Sequence, residues 1–97
     1  MSRIYDRKGQ PIDDAEWYRL HSDFSYRVIE QTTLPDGTFV STVWLGLDHH
    51  FGREPPFIFE TMVFPNKDSR NDRECRRYST EEDARAGHAE MVERWKR

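Results

Sequence analysis

No stretch of the sequence comes near the roughly 18–20 apolar residues that a membrane-spanning helix needs. The opening Met1-Ser2-Arg3-Ile4-Tyr5-Asp6 also lacks the apolar core of a secretory leader. A single cysteine, Cys75, excludes an internal disulfide and any cysteine-based zinc site. An excess of basic charge is missing too. Fifteen Lys and Arg stand against 18 Asp and Glu, a net charge of −3, where a phosphate-backbone binder needs a basic face. The chain has no Gly-rich phosphate loop, no G-x-S-x-G turn and no C-x-x-C pair, so no cofactor is expected. Together these absences predict a soluble, reduced, cytoplasmic protein with neither a membrane nor nucleic acid as partner.

What is present suffices for one small domain over residues 1–97. Hydrophobic residues are only 35% of the chain and charged residues 34%, but aromatic residues supply 13%. Each ring buries roughly 150–250 Å² when it goes inside, enough to anchor a compact core. Asp13, with Glu16 three residues on, has the form of a capping box, and Trp17 and Leu20 share one helical face. A helix over 13–21 is expected, too short to stand without tertiary packing.

Strands follow. Phe24, Tyr26 and Val28 alternate with Ser25 and Arg27, the period of a half-buried strand, which predicts strand 24–33. Pro35-Asp36-Gly37 is hairpin-turn chemistry. The second strand, 38–47, puts Phe39, Val43, Leu45 and Leu47 on one side and Val40, Thr42 and Trp44 on the other. The third, 57–64, sets Phe57, Phe59 and Val63 against Ile58, Met62 and Phe64. Both are apolar on two faces, as central strands are. A polar loop leads to a short charged strand, 74–78, suited to an edge. Ser79 to Glu82 reads as a second capping box, opening a helix over 80–96 with Ala84, His88, Met91, Val92 and Trp95 along one stripe. The expected fold is α+β: a four-stranded antiparallel meander sheet with a short N-terminal helix and a longer C-terminal helix packed on one face. Those helices cannot cover both faces. The second face must be shielded by a homodimer or by the N-terminal segment crossing it.

Seven residues stand out as ligand-binding candidates: Asp48, His49, His50, Glu60, Arg76, Arg77 and His88. Glu60 and His88 each interrupt an apolar pattern, so a polar pairing between them is expected if the last helix packs on the Glu60 face. Adjacent side chains such as Asp48, His49 and His50 point in different directions and seldom ligate one metal ion. The loop they open reads instead as a rigid connection or a ligand lip. Arg70, Arg73, Arg76 and Arg77 make a local basic patch that an anionic ligand would meet. Cys75, with no nucleophile motif around it, reads as a strand-buried structural thiol. The helix–sheet–helix order is similar to that of double-stranded RNA-binding domains, but Glu81, Glu82 and Asp83 at the start of the last helix would repel RNA.

The run Val40-Ser41-Thr42-Val43-Trp44-Leu45-Gly46-Leu47-Asp48-His49-His50-Phe51-Gly52, followed by Ile58-Phe59-Glu60-Thr61-Met62-Val63-Phe64, resembles a family of small uncharacterised proteins of tailed phages and prophages. The likeness extends over 24–97 and takes in Arg77-Tyr78-Ser79-Thr80-Glu81-Glu82 and Ala86-Gly87-His88. It implies an accessory protein acting in the cytoplasm of a bacterial host, and it brings no catalytic residues. The functional expectation is a non-enzymatic, homodimeric binding protein that antagonises a host factor or sequesters a small anionic ligand. The alternative is a small metal-dependent hydrolase using Asp48, His49, Glu60 and His88.

Overall fold

The computed structural model describes residues 3–96. Helix α1 spans Asp14–His21 and a single helical turn, α2, spans Phe24–Arg27. Strands β1 (Val28–Thr33), β2 (Phe39–Trp44), β3 (Phe59–Phe64) and β4 (Glu74–Tyr78) then lead into helix α3, Glu81–Trp95. The strands form one antiparallel sheet in the order β1-β2-β3-β4, so the fold is the expected α+β meander. The Pro35-Asp36-Gly37 turn closes the first hairpin with Gly37 at φ +94° and a Leu34 N–H to Thr38 carbonyl bond of 2.8 Å. No helix among the described residues is long and apolar enough to cross a membrane.

Local chemistry moves several boundaries. The expected strand 24–33 begins only at Val28, because Asp23 accepts from the Ser25 and Tyr26 N–H groups and the Ser25 hydroxyl. That cap closes a helical turn that strand alternation cannot override. β2 ends at Trp44 rather than 47. Gly46 adopts φ +79°, and a Cβ there would lie 2.5 Å from the Trp17 indole nitrogen, so the chain leaves the ladder at a close approach only glycine permits. α3 is capped by Thr80, whose hydroxyl accepts from the Asp83 N–H at 3.1 Å, and not by Ser79. At α1, Asp13 caps as expected through the Glu16 N–H, but the Glu16 carboxylate turns to Arg19 instead of back to the cap.

All three helices lie on one side of the sheet. α3 lays Ala84, Gly87, His88 and Met91 against it, and Met91 packs with Val40 and Val63. The second cluster gathers Leu20, Ile29, Ile58, Phe59, Tyr78 and Ala84 around Trp44, with Tyr5, Ile12, Trp17 and Tyr26 at its margin. Ile29 reaches this core through a bulge, since Val28 pairs with Val43 while Glu30 pairs with the adjacent Thr42. The N-terminal segment therefore closes the end of the same layer, tied by the Trp44 indole N–H to the Tyr5 carbonyl at 3.0 Å and the Trp17 indole N–H to the Leu45 carbonyl at 2.9 Å. It does not cross the opposite face. Full burial of side chains such as Trp44, Phe59, Ile58 and Met91 contributes roughly 1.5–3 kcal/mol each, and this one layer holds the fold.

Candidate functional site

Strand parity sorts the candidate residues before any chemistry is considered. Cross-strand pairs Val40–Val63, Thr42–Thr61 and Trp44–Phe59 face the helices, so Phe39–Phe64, Ser41–Met62 and Val43–Glu60 face the other way. On that open face Phe39, Val43, Met62 and Phe64 are half-buried, and the two phenylalanine rings stack at 6.4 Å. Ile58, expected beside Met62 and Phe64, instead enters the Trp44 core, because it precedes β3 and its backbone is drawn to Leu45 and Tyr78.

Glu60 sits at one end of the open face. It accepts from Arg77 Nε at 3.1 Å and from the Cys75 thiol at 3.4 Å. The expected pairing of Glu60 with His88 is not formed, since β3 turns Glu60 away from α3 and the two lie on opposite sides of the sheet. Cys75 is exposed, not buried in its strand. Desolvation and then the Glu60 charge push its thiol up to about 11, outweighing Arg77, so it is a poor nucleophile. Arg76 points to the helix side and pairs with Glu90 at 2.9 Å. Consecutive residues of an edge strand thus send the two arginines to opposite faces, and Arg73 lies over the Trp95 ring. Arg76 and Arg77 therefore do not share one face. A groove of about 540 Å³ between β4 and α3 has Arg76, Asp83 and Glu90 on its walls, and the Arg76–Glu90 pair closes on itself there.

Asp48, His49 and His50 fall in the 45–58 connection and brace it. The Asp48 carboxylate accepts from the N–H groups of His50, Gly52 and Phe57 at 2.7, 3.2 and 3.2 Å. Desolvation opposes ionisation there, but the three backbone donors outweigh it and hold the Asp48 pKa low. His50 stacks on Phe57 at 4.0 Å and donates from Nδ1 to the Pro55 carbonyl, and His49 donates from Nδ1 to the Leu47 carbonyl. At the tip of this braced loop stands Phe51, 90% exposed and at φ +55°. Leu47, 42% exposed, flanks the loop.

His88 is 1% exposed and belongs to a polar seam between α3 and the sheet. Its Nε2 meets the Thr32 hydroxyl at 2.8 Å and its Nδ1 the Thr42 hydroxyl at 2.7 Å, and Thr42 continues to Thr61. Among the described residues Glu30 is the charge that acts on the ring, with Oε2 3.9 Å from Nε2. Hydroxyls can satisfy either tautomer, so burial holds the ring neutral: desolvation lowers its pKa and the Glu30 charge only partly opposes this. Beyond Thr61, the Tyr78 hydroxyl is buried at the end of the seam. This threonine ladder went unread in the sequence, although Thr42 stands between Val40 and Trp44 on an otherwise apolar side.

Among the described residues no three His, Cys, Asp or Glu side chains converge as metal ligands would. Asp48 and His49, Glu60, and His88 occupy three separate places. No family model, curated protein or solved structure matches the chain.

Proposed function

We propose that the chain is a non-enzymatic binding protein, an accessory protein of tailed-phage or prophage type that acts on a bacterial host protein, with the Asp48-braced loop as its contact. The observation that carries the reading is Phe51. A phenylalanine in the left-handed region costs on the order of 1 kcal/mol. This one is also 90% exposed, so neither backbone preference nor burial accounts for its placement. Asp48 and the His50–Phe57 stack fix the loop, so little ordering remains to oppose association. A rigid, projecting aromatic ring suits an apolar pocket on another protein, where such anchors dominate affinity. The candidate ionisable groups, by contrast, are engaged with one another, with threonines or with the backbone.

The test is mass spectrometry of protein purified from its native host, followed by titration of the polypeptide found. A stoichiometric polypeptide is expected, with affinity falling at least about 30-fold in Phe51→Ala, the range of an anchor residue, and no loss of thermal stability. Metal-dependent turnover of a phosphodiester or ester substrate, abolished in His49→Ala, would reject the reading in favour of a hydrolase.

A further inference from the structure

Independently of the loop, we propose that the open sheet face is a two-fold interface on which a second copy of this chain sits, sheet against sheet. Every helix packs on the other side, so Phe39, Val43, Met62 and Phe64 remain half-buried with nothing helical above them. Four strands about 4.8 Å apart and five or six residues long give a flat footprint of roughly 20 × 20 Å, to which side-chain relief adds, against the ~800 Å² per partner of a standard dimer. A two-fold contact uses this one patch twice and leaves no complementary patch bare to propagate a fibre.

Charge favours the same occupant. The central stripe is neutral, and Glu60, the one acid among the β2 and β3 residues facing this way, is already held by Arg77 and Cys75. A second copy therefore brings no unpaired charge into the contact. Single-stranded nucleic acid could stack bases on Phe39 and Phe64, but it needs cations along its backbone. Arg77 is committed to Glu60, and the chain carries a net charge of −3. The margin suits a dimer, with Gln31 and Thr33 on one edge strand and Arg77 on the other, while Cys75, paired with Met62, falls under the second copy.

Light scattering at micromolar concentration should give about twice 11.7 kDa. Met62→Lys and Val43→Lys should each return the mass to that of one chain with an unchanged far-ultraviolet spectrum, whereas Tyr18→Lys, on exposed α1 surface, should leave the dimer intact. Should both lysine variants fail to fold, the wild-type thiol reports directly. Maleimide labelling of Cys75, exposed within one copy, should slow by about tenfold or more as concentration rises through the dissociation constant. A monomer mass overturns the proposal, and monomer mass with binding of single-stranded poly(U) reassigns the face to base stacking. A dimer that survives both substitutions, or one whose Cys75 labels at a single rate at all concentrations, also overturns it.

Discussion

A histidine that is 1% exposed with both ring nitrogens engaged makes a testable demand on pH. Burial lowers the folded pKa of His88 below its ordinary 6.5, so below that pH the unfolded chain takes up a proton that the folded chain resists. More protons are bound in the unfolded state, and stability falls as pH drops below 6.5. Above 6.5 neither state is protonated, and His88 contributes no slope. The slope for one proton cannot exceed about 1.4 kcal/mol per pH unit. Urea denaturation at a series of pH values should show it in the wild type, and His88→Asn should remove it. His88→Asn should also cost about 1–3 kcal/mol at neutral pH, because Thr32 and Thr42 lose their buried partner. Parallel pH profiles for wild type and variant would mean that the ring takes up its proton as readily in the fold as in the unfolded chain. His88 was recognisable in the sequence as a polar residue on an apolar helical stripe. Its partners were not, because the sheet parity that turns Thr42 toward α3 and Glu60 away is fixed by register between distant segments.

At the scale of elements, α3 docks through an absence. Gly87 is in mid-helix, where Ala normally gains roughly 1 kcal/mol. Here a Cβ would overlap the Tyr78 hydroxyl and ring carbons. Tyr78 is 8% exposed and cannot swing out without leaving the Trp44 cluster, so the steric term reverses the usual sign. Gly87→Ala should lower the thermal midpoint and cost about 1–3 kcal/mol by overpacking. In a Tyr78→Ala background the same substitution should cost little. Additive losses in that double-mutant cycle would place the strain elsewhere. Elements whose signals are periodic were the legible ones: the fourth strand matches residue for residue, and α3 was placed to within one residue at either end. The reading failed where one side chain decides, as at Asp23, which wound Phe24–Arg27 into a helical turn despite its strand-like alternation. Gly46 is the same lesson, since its tight fit against Trp17 joins residues 29 apart in the chain.

For the whole molecule, the contact that joins the two ends of the chain is ionic. Arg7 donates from Nε and Nη2 to the two oxygens of Glu81 at 2.9 and 2.7 Å, and Arg85 adds bonds to the same carboxylate. Arg7 also donates from Nη1 to the Tyr26 carbonyl and lies over the Tyr26 ring. One guanidinium thus ties the N-terminal segment, α2 and the first turn of α3 into a single layer. Nothing in composition or periodicity marks a partner 74 residues away, so this tie was invisible in the sequence. The Arg7 hydrogen bonds hold the Glu81 pKa below its ordinary 4.5, with burial opposing and Arg85 assisting. A carboxylate with a depressed folded pKa contributes stability above 4.5 and loses it as pH falls through the folded value. Glu81→Gln should therefore destabilise the protein by about 1–2 kcal/mol at neutral pH, as expected for a part-buried, charge-assisted pair. That deficit should hold down to pH 4.5 and shrink below it, as the wild-type carboxyl takes up a proton and loses the charge that the substituted amide never carries. Denaturation curves of the two proteins at descending pH measure this directly. Because His88 acts below 6.5 and Glu81 only below 4.5, acid should loosen the sheet–helix seam before it releases the N-terminal segment. If Glu81→Gln shows no deficit at any pH, Arg7 holds the layer together through Tyr26 alone, and a deficit that stays constant through the acid limb places the loss in something other than the Glu81 charge.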